Sequence, residues 1–154
     1  MKIKFLQTII GILLILVAIS VYSGCWHTGT LGIQKINVGG TTVYVEIADE
    51  PHERERGLQK RKKLPPDRGM LFVYPQEQMV QFWMKETSIP LDIAFITEKK
   101  NIVEIYHMYP EETKRYRSKQ KVQYALEVNQ NWFSDNSVTI GDAINFPVNK
   151  RNNP

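Results

Sequence analysis

Short stretches in which apolar and polar residues alternate recur along most of this chain. In Thr42–Ile47 every second side chain is valine or isoleucine, and Val122–Val128 follows the same period of two. This alternation is typical of β-strands that have a covered face. Helical patterns of about 10–15 residues do not separate these stretches, which disfavours a doubly wound α/β fold. The sequence therefore predicts a mainly β (α+β) domain.

Turn signals connect the predicted strands into consecutive antiparallel hairpins. Gly39-Gly40 precedes one strand, and the polar residues 98–101 separate two others at 91–97 and 102–108. Other predicted strands are residues 36–38, 42–47, 69–74, 79–85, 122–128, 138–140 and 143–146. Several are apolar on both faces, so we expect a compact antiparallel β-barrel or two-sheet sandwich of about eight strands.

Two short helices complete the predicted fold. Asp49 is expected to cap the first helix, with Pro51 near its start and Gly57 after its end. The second helix is expected within residues 129–136. Residues 58–68 are polar and contain two consecutive prolines, so they are expected to form a loop.

The N-terminal segment has the layout of an export signal. A short basic stretch precedes the uncharged residues 5–21, and small residues come directly before Cys25, which is the only cysteine. Small residues before a cysteine resemble the bacterial lipobox, in which the thiol is acylated. A thioether to a lipid would also protect a lone thiol from oxidation in the cell envelope. We therefore expect residues 1–24 to be a lipoprotein-type signal peptide and Cys25 to carry the lipid.

Tyr22 leaves two alternatives open, because lipoboxes usually carry leucine at this position. One alternative is an uncleaved anchor helix, since 17 apolar residues span about 26 Å, slightly less than a bilayer core of about 30 Å. The other alternative is plain secretion. In each case the domain lies on the extracytoplasmic side of the membrane. The expected organisation after the signal is a lipidated tether (25–32), a single β-rich domain (33–147) and a C-terminal tail (148–154).

The charge balance argues against a nucleic-acid partner. The full chain has a formal net charge of +4, and removal of Lys2 and Lys4 with the signal peptide reduces this charge to +2. Nucleic-acid-binding domains are usually more basic. Two basic segments remain, at residues 60–63 and 114–121. They are expected to be either solvated loop faces or surfaces that contact anionic lipid headgroups.

Three segments carry a family resemblance: GMLFVYP (69–75), FWMKETSIPLDIAFI (82–96) and YALEVN (124–129). Together with residues 46–65, they are similar to the bacterial and archaeal family called domain of unknown function 192 (DUF192). The resemblance covers residues 35–147, and its most specific part is the pattern FWMK-x-T-x-x-PLD. It implies a compact β-rich domain that is commonly exported or membrane-anchored. It implies no activity, because the biochemical function of the family is not established.

The densest group of polar and aromatic side chains lies between two predicted strands. Its members are Trp83, Lys85, Thr87 and Asp92. In one interpretation, Lys85 and Asp92 form a salt bridge and Thr87 makes a turn hydrogen bond that fixes the connection. In the other, these residues line a ligand pocket in which Trp83 stacks on the ligand and the charged groups orient its polar atoms.

The sequence lacks the motifs of common catalytic sites, including G-x-S-x-G, H-E-x-x-H, G-x-G-x-x-G and the Walker loop. We therefore assign no catalytic residue and expect a non-enzymatic module that binds an unknown protein or small molecule. An enzyme remains an alternative. It would act on cell-envelope glycans or lipids through Asp92, Glu127 and Lys85. Glu127 is expected to be exposed on the outer face of its strand.

A copper-binding protein is a further alternative, because thioethers and imidazoles suit Cu(I). The group that suggests it consists of residues on several predicted strands, together with Trp83: Met70, Met79, Met84, Met108 and His107. Methionines on strands are more often part of the core. No metal and no cofactor is therefore expected.

Overall fold

The computed structural model describes residues 32–147, which form nine strands and two short helices. The strands are β1 (Ile33–Val38), β2 (Thr41–Ala48), β3 (Arg68–Gln78), β4 (Gln81–Phe82), β5 (Leu91–Ile96), β6 (Ile102–Met108), β7 (Tyr116–Arg117), β8 (Val122–Asn129) and β9 (Ile144–Asn145). The helices are α1 (Pro51–Arg56) and α2 (Trp132–Asp135). Neither of these helices has the length and apolar character needed to cross a bilayer. The prediction of a mainly β domain is confirmed, whereas the signal peptide and Cys25 lie outside the described residues.

β1 and β2 form the hairpin predicted from Gly39-Gly40. Val38 pairs with Thr41, so the loop contains two residues, and both glycines have positive φ angles of 55° and 92°. Glycine adopts such angles without the steric penalty that a side chain adds. β5 and β6 likewise pair antiparallel along their length. Both predicted hairpins are therefore confirmed.

The connection from β2 to β3 departs from the predicted antiparallel arrangement. The two strands are parallel neighbours, and parallel neighbours need a crossover, which residues 49–67 supply through α1. The N-cap of α1 is Glu50, where Asp49 was predicted. The Glu50 N–H donates to a side-chain oxygen of Glu53 (3.2 Å), so a side chain of the first helical turn supplies the hydrogen-bond acceptor for the N-cap backbone.

Seven strands form one curled sheet, termed the main sheet, in the order β6-β5-β8-β3-β2-β1-β9. The ends of this order meet at one corner, where Asn101 and Ala143 form a bridge. Beside it, the Ile144 N–H donates to the Lys100 carbonyl (2.8 Å). Contact between the two edge strands shields part of their backbone. The result is a half-barrel, in agreement with the predicted fold class.

β4 and β7 form a separate two-stranded sheet, in which Phe82 pairs with Tyr116. β4 is shorter than the strand predicted over 79–85, because a turn follows in which Glu86 has a left-handed φ of 55°. Residues 138–140 were also predicted as a strand, but they lie in the loop between α2 and β9.

Apolar side chains cover both faces of the main sheet. The face that packs against β4, termed the β4 face, carries Met70, Phe72, Ile93 and Phe95. The opposite face packs against α2, is termed the α2 face, and carries Leu71, Ala94, Leu126 and Val128. Since successive side chains of a strand point to opposite faces, the register assigns each polar residue of these strands to one side.

Candidate functional site

Glu127 lies in the interior of the main sheet, on its β4 face. It pairs with Met70 of β3 on one side and with Ile93 of β5 on the other, and directly paired residues share a face. Glu127 is only 5% exposed. The prediction of an exposed Glu127 is therefore wrong. Alternation along β8 indicated one covered face, but the small β4–β7 sheet and its neighbours cover the second face as well.

The Glu127 side chain is nearly buried, and no hydrogen bond to its carboxyl group is found within residues 32–147; its oxygens face a cavity and are not sealed in the core, where Arg68 Nη1 is the one fully enclosed side-chain polar atom of these residues without a partner. Burial raises its pKa to about 8, and the positive charge of Arg61 partly opposes the rise. The carboxyl is therefore mostly protonated at neutral pH, when it can both donate and accept a hydrogen bond. Buried polar groups normally have partners, so a nearly buried carboxyl without one, at the wall of a cavity, marks a candidate site.

A cavity of about 180 Å³, termed the Glu127 pocket, opens onto this carboxyl group. Its aromatic lining consists of Phe72, Tyr74, Phe82 and Trp83. Its charged lining, besides Glu127, consists of Arg54, Glu55, Arg56 and Arg115. At about 30 Å³ per water molecule in the liquid, the volume corresponds to about six waters. One small ligand of a few polar groups fits this space.

Trp83 is 37% exposed and forms part of the pocket mouth. The guanidinium carbon of Arg115 is 3.7 Å from the centre of its ring, and Lys85 Nζ is 5.3 Å from the same centre. The indole face attracts such cations with about 0.5–1 kcal/mol at exposed sites. Trp83 therefore holds two positive charges at the entrance of the pocket.

Arg54 is fixed at the pocket wall by backbone carbonyls. Its Nη1 donates to the carbonyls of Val73 (2.9 Å) and Asp49, and its guanidinium carbon is 5.1 Å from the Tyr74 ring centre. Burial raises the pKa of Tyr74 to about 12, the charge of Arg54 opposes this rise, and Glu127 adds to it. The Tyr74 phenol therefore keeps its proton across the neutral range.

Thr87 is buried and joins loops beside the pocket. Its hydroxyl donates to the Lys85 carbonyl (3.3 Å), and its own carbonyl accepts from the Glu111 N–H (3.0 Å). In the same turn, the Glu86 carbonyl accepts from the Lys60 N–H (2.7 Å). The connections that follow α1 and β6 therefore reach the same turn, next to the pocket that Thr87 lines.

Asp92 is 1% exposed and lies on the α2 face. Its Oδ1 accepts from His107 Nδ1–H (2.6 Å), and its Oδ2 accepts from the Asn131 N–H (2.9 Å). Burial raises the pKa of Asp92, while the hydrogen bonds from His107 and Asn131 oppose the rise. Both oxygens are thus engaged in joining β5 to β6 and to the start of α2, which is a structural arrangement.

Asp92 and Glu127 are not brought together. Because Ile93 is the β5 residue that pairs with Glu127, the neighbouring Asp92 points to the opposite face. The main sheet lies between the two carboxyl groups, so they cannot act as an acid–base pair on one substrate atom. The predicted ion pair of Lys85 with Asp92 is also absent from residues 32–147, since Asp92 pairs with His107 and Lys85 is exposed.

The methionines proposed as copper ligands do not converge on His107. Met70, Met84 and Met108 are fully buried in the apolar cluster of the β4 face, whereas Met79 is exposed. His107 pairs with Asp92 on the α2 face. Within the described part of the chain, no three His, Cys, Asp or Glu side chains are placed to hold a metal ion together.

A larger surface cavity of about 490 Å³ lies beside α2 and is lined in part by Thr42, Asp67 and Trp132. The buried polar residues between positions 32 and 147 are Thr87, Asp92, Glu104, Ser118 and Glu127. None of them lines this larger cavity. Glu104 lines a cavity of about 360 Å³, but its two oxygens accept from the Tyr106 hydroxyl and the Lys119 N–H. The Glu127 pocket is therefore the candidate site because its acid is the one without such partners, although the pocket is smaller.

The four residues predicted to bind a ligand have different positions. Trp83 and Thr87 line the Glu127 pocket, Lys85 stands next to the Trp83 ring, and Asp92 lies on the other face of the main sheet. Sequence reasoning did not place Glu127 in a pocket, where its nearly buried carboxyl forms what is termed the pocket floor, and it did not identify the arginines that line the same pocket. One signal for Glu127 was available, because it is the only charged residue in the strand YALEV.

These features define a class of small β-rich domains in which a half-barrel sheet carries a pocket with a buried acid. Residues 34–146 match the family DUF192, described as an uncharacterised ACR. The chain belongs to this family, as the resemblance of its motifs predicted.

Two solved structures share the fold. One is a Sinorhizobium meliloti 1021 protein described as a candidate transcription regulator, with a TM-score of 0.72 and 32% identity over 75% of this chain and 95% of that chain. The other is a protein of unknown function from Novosphingobium aromaticivorans, with a TM-score of 0.73 and 26% identity over 78% of this chain and 89% of that chain. No curated protein matches the chain. The likenesses therefore support the fold and supply no ligand.

Proposed function

We propose that this chain is a lipid-anchored protein of the cell envelope whose β-rich domain binds a small polar ligand in the Glu127 pocket. The observation that supports the proposal is the Glu127 carboxyl, which is nearly buried, forms no hydrogen bond within residues 32–147 and faces a cavity. Removing a polar group from most of its water without giving it a protein partner costs free energy. A ligand that forms hydrogen bonds with the carboxyl offsets this cost.

The envelope location rests on the leader sequence, residues 1–24, and on Cys25 after it. Metabolic labelling with a fatty acid, together with intact mass of the mature protein, tests it. We expect a labelled protein that begins at Cys25 in the membrane fraction, and no label on the Cys25→Ser variant. A mature protein that retains Met1 and carries no lipid would identify the segment as an anchor helix instead.

Binding without turnover is favoured by the separation of the acidic groups. Hydrolysis of glycosidic bonds usually needs two carboxyl groups that flank the substrate. Glu127 is the only buried acid that lines the pocket within the described residues, and Asp92 lies behind the sheet. The second acid of the pocket lining, Glu55, is exposed, so the pair of Asp92 with Glu127 that the enzymatic alternative required is not present in the pocket.

The test of binding uses two tryptophans with different positions. Trp83 lines the pocket, whereas Trp132 lies on the α2 face. Their indole N–H signals in the NMR spectrum of the full chain can be assigned with the variants Trp83→Phe and Trp132→Phe. A library of sugars, organic acids and amino acids is then screened. A ligand of the pocket shifts the Trp83 signal, leaves that of Trp132 in place, and loses its effect in Glu127→Met.

A second candidate function is general acid catalysis by Glu127 alone. The observation that favours it is the pKa of about 8, because a carboxylic acid that keeps its proton near neutral pH can donate it to a leaving group. The variant Glu127→Gln separates the two functions. If the protein only binds its ligand, neither the unchanged protein nor Glu127→Gln forms a product. If it is an enzyme, the unchanged protein forms a product, whereas Glu127→Gln binds the ligand and forms none.

A role as a transcription regulator, the description given to the Sinorhizobium protein, is not part of the proposal. The mature chain has a net charge of only +2 if residues 1–24 are removed. An extracytoplasmic location would also keep the domain away from the chromosome. A filter-binding assay with duplex DNA at physiological salt is expected to show no retention.

A further inference from the structure

The charged groups of the Glu127 pocket favour a negatively charged ligand. Three guanidinium groups line it, from Arg54, Arg56 and Arg115, against one exposed carboxylate from Glu55. The floor carboxyl of Glu127 is uncharged while it keeps its proton. A cavity with such an excess of positive charge attracts anions and repels cations.

Two of these guanidinium groups have free hydrogen-bonding capacity. The side chains of Arg56 and Arg115 form no ion pair with any residue between positions 32 and 147. Arg115 contacts the Trp83 ring instead, and a ring contact leaves its N–H donors available. A guanidinium group matches a carboxylate with two parallel hydrogen bonds. The pocket mouth can therefore recognise a carboxylate group.

The interior of the pocket suits the rest of such a ligand. The protonated Glu127 carboxyl can donate to one hydroxyl oxygen and accept from another. The rings of Phe72 and Phe82 meet edge to face, with centres 4.8 Å apart, and give an apolar wall for the C–H groups of a ring. The volume of about 180 Å³ accommodates one ring.

From this placement of groups, we propose that the ligand is a small hydroxylated carboxylate, such as an acidic monosaccharide, whose carboxylate lies between Arg56 and Arg115 and whose hydroxyls meet Glu127. This inference rests on the proposed binding function. The free acid sugar and the same sugar at the end of an envelope glycan have the same chemistry. A monosaccharide and a short oligosaccharide that ends in it distinguish the two sources.

The pKa of Glu127 gives the proposal a pH signature. Since burial raises this pKa to about 8, an anionic ligand meets a neutral floor below that pH and a charged floor above it. Affinity for an anion should therefore fall as pH rises through this range. Glutamine at position 127 resembles the protonated acid, so Glu127→Gln should bind the anion with little dependence on pH.

The experiment compares three probes with the full chain in a sugar-free detergent: glucuronate, glucose and glucosamine. Affinities are measured by calorimetry at about pH 6 and about pH 9, and the Trp83 indole signal reports the site at the lower pH. Glucuronate and glucose differ only at one carbon, so their ratio isolates the carboxylate. We expect glucuronate to bind at least about tenfold more tightly than glucose at the lower pH, which corresponds to one charge-assisted contact.

Variants then assign the contacts. Arg115→Gln should reduce the preference for glucuronate over glucose by about tenfold, the scale of one charge-assisted pair. Lys119→Gln is the matched control, because it removes a positive charge from the same basic segment, residues 114–121, at a side chain that does not line the pocket. Glu127→Gln should retain binding and lose the fall in affinity between the two pH values.

The outcomes separate this inference from the proposed function. If glucose binds as tightly as glucuronate, or glucosamine binds more tightly, and the Trp83 signal shifts, the ligand class is wrong and the binding site stands. If glucuronate shifts the Trp132 signal and leaves the Trp83 signal unchanged, the acidic-sugar inference and the proposed binding function of the Glu127 pocket are both wrong. If none of the three probes shifts Trp83 at about 10 mM, a concentration that detects even weak binding, the acidic-sugar inference is overturned.

Discussion

Asp92 and Glu127 lie on neighbouring strands of one sheet, and their carboxyl groups point to opposite faces because Ile93 is the direct partner of Glu127. On the α2 face, both oxygens of Asp92 accept hydrogen bonds, from His107 and from Asn131. On the β4 face, the Glu127 carboxyl has no such partner within residues 32–147. The first acid joins elements of the fold, and the second is the one that we propose to meet a ligand.

Stability should decrease as the pH rises, because of Glu127. An unfolded glutamate loses its proton near pH 4.5, whereas the folded carboxyl keeps it up to about pH 8. Between these values the folded state binds more protons, so the free energy of unfolding falls with rising pH and levels off above the higher value. The total loss is on the order of a few kcal/mol, at about 1.4 kcal/mol per pKa unit.

Urea unfolding at about pH 5, 7 and 9, followed by circular dichroism, measures this slope. Glu127→Gln has no such proton to lose, so its curve should be flatter than that of the unchanged protein. Glu55→Gln, at an exposed carboxylate of the same pocket, should keep the original slope. Equal slopes for the unchanged protein and Glu127→Gln would contradict the assignment.

Local sequence patterns predicted much of the fold. Alternation and glycine turns act over a few residues, and they located β2, β5, β6 and β8 as well as the first hairpin. The parallel pairing of β2 with β3 was missed, because α1 has only six residues. A helix this short, within a long polar connection, does not reveal whether the chain returns beside the preceding strand or crosses over to run parallel with it.

The candidate site was predicted only in part, since its residues are distant in sequence. Trp83 and Thr87 stood out as a local group, and both line the pocket. Glu127 was assigned to solvent because alternation along β8 reports one covered face. The second cover comes from β4 and β7, so the burial of Glu127 depends on tertiary packing that a single-strand pattern does not contain.

Asp92 should contribute to stability and not to ligand binding. In Asp92→Ala, the Asn131 N–H and the His107 ring lose their acceptor, and a buried donor without a partner costs about 1–3 kcal/mol. We expect a loss of about 2–3 kcal/mol in the free energy of unfolding, measured in urea at neutral pH. His107→Gln should cost less, under about 1 kcal/mol, because that side chain is 54% exposed.

The Asp92→Ala variant also tests the separation of the two faces. At a temperature where Asp92→Ala is folded, a ligand of the Glu127 pocket should shift the Trp83 indole signal as it does in the unchanged protein. A stable Asp92→Ala protein that no longer binds would show that Asp92 belongs to the site.

Arg61 should tune the acidity of the pocket floor. It forms a two-pronged contact with Glu46, at 2.6 and 2.7 Å, and its charge lowers the pKa of Glu127. In Arg61→Gln the pKa of Glu127 should therefore rise further above its ordinary range. The carboxyl ¹³C chemical shift of Glu127, followed against pH, measures the change directly.

Lys60→Gln is the control for Arg61→Gln, because the neighbouring lysine carries the same charge on a side chain that is 79% exposed. Its contact with Glu86 (3.2 Å) is a surface pair, and such pairs contribute about 0–1 kcal/mol. We expect no change in the Glu127 titration. A shift of equal size in both variants would mean that general surface charge, and not the position of Arg61, controls the pKa.

Gly69 is required by the close approach of β3 to β8 at Glu127. A Cβ at this position would lie 2.5 Å from the Glu127 carbonyl oxygen and 3.0 Å from a methyl group of Val128. The carbonyl belongs to a strand in the interior of the sheet, so it can move only if β8 shifts. Gly69→Ala should cost about 2 kcal/mol or more, as overpacking of a core does. It should also displace Glu127 at the base of the pocket, which would shift the Trp83 indole signal.

Gly40→Ala is the comparison, since a Cβ there meets no atom within 4 Å and only the φ angle of 92° is unfavourable. Its expected cost is about 1 kcal/mol, with no change at Trp83. Thermal unfolding of both variants measures the difference, and equal melting temperatures would mean that the β3–β8 contact yields to a methyl group.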